Sequence, residues 1–181
     1  WNPNTEEWQH ITPMNTARDS MGHVLLPDGR FMVAGGKSID KKGVLISHIK
    51  ESEIYDPETE QWIEIAPMHE ERVNHTATLL NDGNVLVVGG GKEDGPYSKT
   101  VELYDIKRDI WILLEPMSVG RAMHTATKLL DGRVLIVGGR GKKTSTEIYD
   151  PRNKKWSSSG DTEYPRAEHS AIRLPDGSIL I

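Results

Sequence analysis

The 181-residue chain contains no cysteine, which excludes disulfides, thiolate metal sites, cysteine nucleophiles and cofactors built on a thioether crosslink. It also lacks any apolar run approaching the roughly 20 residues of a membrane-spanning helix. The net charge of −5 argues against generic nucleic-acid binding. We therefore expect neither nucleic acid nor a membrane as a partner. One phenylalanine beside five tryptophans is the unusual feature of the composition.

Four of the tryptophans recur in register. Trp8, Trp62, Trp111 and Trp156 follow one another at intervals of 54, 49 and 45 residues, a period typical of repeat arrays and propellers. Each is followed 20 residues later by an Asp-Gly pair. The other repeated residues are three glycine pairs, a tyrosine seven residues before a tryptophan, and a glutamate two residues before that tyrosine: Gly35, Gly36, Gly89, Gly90, Gly138, Gly139, Tyr55, Tyr104, Tyr149, Glu53, Glu102 and Glu147. Trp1 stands in the tyrosine position of the first copy.

Within one copy the pattern is that of β-strands. The short apolar and β-branched runs at 75–80 and 84–88 flank an Asp-Gly turn, a strong hairpin signal. A third run covers 100–104, and a fourth surrounds Trp111. No stretch has helical periodicity of useful length. The sequence predicts an all-β fold in which each copy is a four-stranded antiparallel meander.

The repeated residues suit sheets that stack on one another. Tyrosine and tryptophan on the outer strands would fill the gap between adjacent sheets. The glycine pair allows close approach of the backbone, and a buried glutamate needs a backbone or arginine partner. A single sheet of this kind cannot bury its own face, whereas radial stacking of copies can.

The combined motifs carry a family resemblance. Arg-x-x-His, Leu-x-Asp-Gly, Gly-Gly, Glu-x-Tyr-Asp-Pro and Trp followed by Pro-Met resemble kelch repeats over practically the whole chain, and the two Leu-Pro-Asp-Gly versions are similar to prokaryotic kelch repeats. The resemblance implies a β-propeller. Two positions depart from the pattern: Met21 replaces the motif histidine in the first copy, and Asp161-Thr162 replaces Pro-Met in the last.

About four blade units are expected. Complete blades are predicted at 17–62, 71–111 and 121–156, with partial blades at 1–16 (outer strand) and 166–181 (inner strands). The two partial blades are complementary. We interpret residues 1–181 as a kelch propeller domain that is part of a larger propeller, with a closed ring of four or a homo-oligomer that completes the propeller as alternatives.

Motifs of catalysis are missing from the sequence. It contains no nucleophile elbow, phosphate-binding loop before a helix or metal-protease motif, so we expect no catalytic residue, cofactor or metal. His75, His124 and His169 occupy equivalent positions, which in this family line the propeller channel. They could bind a metal ion together, but we expect each to hydrogen-bond a neighbouring strand. His10, His23, His48 and His69 are interpreted as surface or packing residues.

The connections between the second and third strands share one face of the predicted fold. These segments, 37–52, 91–101 and 140–146, carry formal charges of +2, 0 and +3. In the family, partners bind at this face through arginines that recognise acidic groups. The candidate partner-binding residues are Arg18, Arg72, Arg121, Arg166, Lys41, Lys42, Lys142 and Lys143. The alternative is that each arginine is the structural partner of a repeat glutamate. The apolar run 44–46 is either a partner-binding element or the end of a hairpin extension.

These observations favour a non-catalytic scaffold that binds a protein, an acidic peptide or a carboxylated or sulfated carbohydrate. A carbohydrate-active or sugar-isomerising enzyme of kelch type is the alternative, and an engineered or fragmentary propeller without a ligand is the second alternative.

Overall fold

The computed structural model of the chain describes residues 1–40, 42–91 and 96–181. These residues form strands and no helix, so the described part of the chain has no helix that could cross a membrane. The strands are β1 (Arg18–Asp19), β2 (Gly22–Leu25), β3 (Phe31–Ile39), β4 (Leu45–Asp56), β5 (Gln61–Ile65), β6 (Thr76–Leu79), β7 (Val85–Val88), β8 (Val101–Asp105), β9 (Ile110–Leu113), β10 (Thr125–Lys128), β11 (Val134–Val137), β12 (Ser145–Asp150), β13 (Lys155–Asp161), β14 (Ile172–Arg173) and β15 (Ile179–Leu180).

The strands form antiparallel sheets that follow chain order. The second and third sheets have the orders β6-β7-β8-β9 and β10-β11-β12-β13. Their first two strands are joined by the Asp-Gly turns, in which Gly83 and Gly132 have φ of 88° and 90°. Only glycine adopts this conformation without strain, which explains the Asp-Gly spacing in each copy. The predicted all-β fold of four-stranded antiparallel blades is confirmed.

The first sheet is extended at one end. Strand β3 pairs with β2, β4 and the short β1, and β4 continues to β5. The β3–β4 pairing runs from Phe31↔Tyr55 to Ile39↔Leu45, past the point where the second and third sheets end. The apolar run that begins at Val44 is therefore the end of a hairpin extension.

The blades are joined at their inner edge by a continuous series of backbone hydrogen bonds. The amide of Asn74 donates to the carbonyl of Ser20, Met123 donates to Asn74, and Glu168 donates to Met123, each at 2.9 Å. All four residues are in the left-handed region, with φ between 55° and 57°. Each blade therefore positions the next through the same backbone geometry.

The hydrophobic core lies between neighbouring blades. One cluster joins the first and second blades, with Met32, Ile54, Val87 and Tyr104 among its buried residues. A second cluster joins the second and third blades around Ile136. Side chains of both sheets contribute to each cluster, as expected for stacked sheets.

The aromatic pairs occupy the predicted position in the three larger sheets. The rings of Tyr55 and Trp62 lie 5.3 Å apart, and those of Tyr104–Trp111 and Tyr149–Trp156 lie 5.1 Å apart. The indole nitrogens donate to the carbonyls of Thr12, Ala66 and Glu115, on the link that precedes each blade.

The partial blade at 1–16 differs from this pattern. Its residues form only an isolated bridge between Asn2 and Glu7, and Trp8 is 85% exposed. The prediction that Trp8 fills a gap between sheets is wrong, because no described sheet packs on its outer side. Strands β14 and β15 pair only with each other, so the described sheets form an open row of blades and are not closed into a ring.

Candidate functional site

Three of the four candidate arginines are buried inside the blades. Arg18, Arg72 and Arg121 have fully buried side chains that form ion pairs with repeat glutamates. Arg72 Nη2 lies 2.9 Å from Glu102, and Arg121 Nη2 lies 2.8 Å from Glu147. Arg18 makes the same contact with Glu53.

Backbone carbonyls occupy the other donors of these guanidinium groups. The Nη1 atoms donate to the first glycine of each pair, at 3.0 Å for Gly35, 2.8 Å for Gly89 and 2.7 Å for Gly138. These contacts match the alternative prediction, in which each arginine is the structural partner of a repeat glutamate and not a partner-binding residue. The guanidinium groups of these three residues are not exposed to a partner. Arg166 is partly exposed, and its Nε lies 3.4 Å from the carbonyl of Tyr164.

The candidate lysines are at the surface. Lys42, Lys142 and Lys143 are exposed, and Lys41 lies outside the described residues. Lys142 Nζ lies 3.7 Å from Asp161. Part of the positive charge predicted for this face is therefore offset by neighbouring carboxylates, and the role of the lysines in binding stays a prediction.

The three equivalent histidines connect neighbouring blades. His75 Nε2 accepts a hydrogen bond from the Gly22 amide at 3.0 Å. His124 Nε2 and His169 Nε2 each lie 3.0 Å from a threonine hydroxyl of the preceding blade. This is the expected hydrogen bonding to a neighbouring strand. In the first blade, Gly22 stands at the position of this threonine, so its backbone amide makes the hydrogen bond to His75 instead.

Burial keeps two of these imidazoles neutral. Desolvation, with the nearby charge of Arg72, lowers the pKa of His75 to about 3. Desolvation, with the charge of Arg121, lowers the pKa of His124 to about 3. These histidines therefore act as neutral hydrogen-bonding groups between the blades at ordinary pH.

His69, which the sequence predicts to be a surface or packing residue, is half-exposed and also hydrogen-bonds a buried carboxylate. Glu102 Oε2 accepts hydrogen bonds from the backbone amide and the Nδ1 of His69, both at 2.8 Å. Glu102 Oε1 accepts from Arg72 Nε at 3.2 Å and Nη2 at 2.9 Å. Burial raises the pKa of Glu102, but the hydrogen bonds from His69 and the charge of Arg72 outweigh it, so the pKa is lowered. The carboxylate is thus ionised and oriented.

His69 lines a cavity of about 680 Å³ on the face that carries the connections between second and third strands. Lys50, Glu70, Tyr97 and Lys99 also line this cavity. His69 pairs with a residue 33 positions away, so sequence reasoning alone did not bring the two together. The repeat offers no signal for it, because the equivalent position holds a different residue in each copy: Asn15, His69, Ser118 and Glu163. In the described part of the chain, no group of three or more histidines and carboxylates is placed to hold a metal ion.

Comparison with known proteins identifies the repeat. A family model described as the kelch motif matches residues 72–118. Human Kelch-like protein 15 is 32% identical over 98 residues, which cover 54% of this chain and 16% of that protein. Beta-scruin of Limulus polyphemus is 35% identical over 85 residues, covering 47% of this chain and 8% of that protein. The chain spans less than a fifth of the length of these relatives.

A solved structure shares the fold. The structure of YjhT superimposes with a TM-score of 0.71 over 89% of this chain and 57% of that chain, at 17% sequence identity. At this identity the likeness concerns the architecture alone. It confirms the propeller-type blades that the sequence predicts, and the kelch motif itself is matched at residues 72–118.

Proposed function

We propose that this chain, whose residues 72–118 match the kelch motif, is a non-catalytic interaction scaffold that binds an acidic protein partner. Binding would occur through the loop face, which we define as the described parts of 37–52, 91–101 and 140–146 with the adjoining links between blades. The observation that carries this proposal is the extended β3–β4 hairpin. Its end exposes three consecutive apolar residues, with 59% of Val44, 45% of Leu45 and 65% of Ile46 accessible to solvent.

The described residues at the hairpin end are joined by hydrogen bonds. Ser38 pairs with Ser47, and one carboxylate oxygen of Asp40 accepts from the amides of Lys42 and Val44, both at 2.8 Å. The apolar side chains therefore follow directly on a hydrogen-bonded Asp40. Consecutive exposed apolar residues on a loop are typical of interaction surfaces.

The charge of the same face favours an acidic partner. Lys42 adjoins the apolar end, and the exposed Lys142 and Lys143 lie on the corresponding connection of the third blade. An acidic surface would gain association rate from these lysines, while the apolar residues would supply the buried contact. Both contributions are independent of the buried arginines.

The proposal is tested by replacing the apolar end with Val44→Ser, Leu45→Ser and Ile46→Ser together. The matched control is Leu130→Ser, because Leu130 is 64% exposed in an Asp-Gly turn at the opposite end of the sheets. A partner captured by the unmodified chain and identified by mass spectrometry should be retained by the control and lost by the triple variant. Equal recovery by both variants would refute the proposed surface.

A second variant tests the electrostatic part. Charge reversal at Lys42, Lys142 and Lys143 should slow association with the captured partner and weaken its dependence on salt. An unchanged association rate at low salt would exclude a role for these lysines. Since all three are exposed, circular dichroism should show an unaltered fold.

A further inference from the structure

Neighbouring blades of this chain meet through two faces that recur at fixed positions of the repeat. The preceding blade supplies the residues that stand two before and four after the aspartate of its Asp-Gly turn. In the first blade these are Leu26 and Met32, and in the second they are Leu80 and Leu86. All four are buried. We call this side of a blade its trailing face.

The following blade covers a trailing face with a second set of residues, which we call its leading face. In the second blade the leading face contains Val85, Tyr104 and Trp111. They are buried in one hydrophobic cluster with Leu26 and Met32 of the first blade. The second cluster repeats this arrangement between the second and third blades. The same two faces therefore form both junctions.

The first blade has a leading face of its own, which no blade in the described part of the chain covers. Phe31, Tyr55 and Trp62 stand at the positions of the three residues that form this face in the second blade. They are only partly buried. Leu25 is 62% exposed, whereas Leu79, at the same position of the second blade, packs against the hydrophobic cluster. An apolar face that is complete in its residues is thus left open.

Strands β14 and β15 carry an open trailing face. Leu174 and Leu180 stand at the positions of Leu26 and Met32, but both are exposed, Leu180 by 60%. Ile172 is also exposed and lies directly opposite Leu180 in the β14–β15 pair. The chain therefore exposes both halves of its own blade junction, on two different sheets.

The backbone hydrogen bonds between blades are open at the same two places. The series through Asn74 and Met123 leaves the Ser20 amide and the Glu168 carbonyl without a backbone partner in the described part of the chain. A bond from the Ser20 amide of one copy to the Glu168 carbonyl of another would continue the series. The polar groups of the two faces are thus as complementary as the apolar ones.

One departure from the repeat limits the strength of such a junction. Within the chain, His75, His124 and His169 each hydrogen-bond a residue of the preceding blade. The first blade has Met21 at the histidine position. A junction made by its leading face consequently lacks the imidazole hydrogen bond and is weaker than those within the chain. Association through it should be reversible and should increase with protein concentration.

We propose that a second copy of this chain docks head-to-tail, so that the trailing face on β14–β15 of one copy covers the leading face on the first blade of the next. A second copy is the occupant because the chain itself supplies a trailing face with the required residues. The contact is heterologous, since different surfaces of the two copies meet. It does not use the loop face and does not depend on the protein partner proposed above.

Sedimentation equilibrium of the purified chain tests the association at concentrations from about 5 to 200 µM, which detect a micromolar Kd. The average mass should exceed that of one chain and should rise with concentration. A chain that remains monomeric over the whole range would overturn the proposal.

Two charged variants test the two faces separately. Leu25→Arg blocks the leading face, and Leu180→Arg blocks the trailing face. Both residues are exposed, so circular dichroism should show an unaltered fold for each variant. Each variant alone should be monomeric over the same concentration range.

An equimolar mixture of these two variants should form dimers. The Leu25→Arg chain retains its trailing face, which can dock on the intact leading face of the Leu180→Arg chain. This recovery is specific to a head-to-tail contact, because a contact between two identical faces would not be restored by mixing. A mixture that stays monomeric would overturn the proposal.

Leu113→Arg is the matched control, because Leu113 is exposed on the outer strand of the second blade and belongs to neither open face. This variant should associate as the unmodified chain does, and a monomeric control would overturn the proposal. The triple serine variant at 44–46 should also associate normally. Loss of association in that variant would assign the contact to the hairpin end instead. Since capture of the protein partner is a separate measurement, either proposal can fail without the other.

Discussion

Replacing each of the four repeat tryptophans by alanine, one at a time, tests whether neighbouring blades determine how much a repeated residue contributes to the free energy of unfolding. Trp8, Trp62, Trp111 and Trp156 occupy the same place in the repeat. The structure gives them different surroundings: Trp111 is 6% exposed, whereas Trp8 is 85% exposed. The other two are intermediate.

The loss of unfolding free energy expected for each replacement depends on how deeply the tryptophan is buried. Trp111 packs against Tyr104, with ring centroids 5.1 Å apart, and its Nε1 donates to Ala66 at 2.7 Å. Truncation of such a buried aromatic costs about 3–5 kcal/mol of unfolding free energy. Trp62 and Trp156 should cost less than Trp111, because they are partly exposed and part of the transfer contribution is already absent. Trp8→Ala should change stability by no more than about 0.5 kcal/mol.

The measurement is urea denaturation followed by far-ultraviolet circular dichroism, which does not depend on the fluorescence of the replaced residues. Trp1→Ala is the matched control for the exposed position, since Trp1 is 60% exposed. The reasoning is refuted if Trp8→Ala destabilises the protein as much as Trp111→Ala. A cost below about 1 kcal/mol for Trp111→Ala would equally contradict the packing described above.

Two further predictions concern buried ionisable groups. Because the folded pKa of His75 and of His124 is about 3, against an ordinary histidine pKa of 6.5, the unfolded chain takes up two more protons below pH 6.5. Stability should fall by about 3 kcal/mol per pH unit between roughly pH 6 and 4, measured by urea denaturation; a flat profile from pH 7 to 5 would contradict this. Glu102→Gln should lower stability by about 3–5 kcal/mol, because it leaves Arg72 buried without its counter-charge. The half-exposed Glu70, replaced by Gln, should cost less than about 1 kcal/mol; equal costs for the two variants would contradict the assignment.

The pH prediction has an internal control. The carboxylates with lowered pKa, such as Glu102, contribute stability that is lost only as pH falls through their folded pKa, below their usual range. The interval between pH 6.5 and 5 therefore reports the buried histidines.

Much of the fold could be predicted from the sequence because its signals are local. The Asp-Gly turns specify hairpins through φ values that glycine adopts freely, and alternating apolar runs specify strands on either side. The constant spacing from Trp to Asp-Gly to Gly-Gly fixes the first two strands of each blade, whereas the connection to the third strand varies in length. Even the glutamate–arginine pairing was present among the alternatives, since a buried carboxylate requires a partner.

The site was less predictable because its residues come from distant parts of the chain. Arg72 and Glu102 are 30 positions apart, and His69 reaches the same carboxylate from the link. A sequence shows that the arginine recurs, but its exposure depends on which side chains surround it after folding. Three arginines predicted as surface contacts are consequently inside the blades.

By itself, the sequence determined the repeated motifs, the all-β meander and the order of strands, since these depend on neighbouring residues and their spacing. Only the tertiary structure decided that Trp111 is buried while Trp8 is exposed, and that His69 meets Glu102 beside a cavity. The physical reason is the same in both cases. Burial and hydrogen bonding across blades arise from contacts between residues far apart in the chain, and identical repeat positions acquire different environments when their neighbouring blades differ.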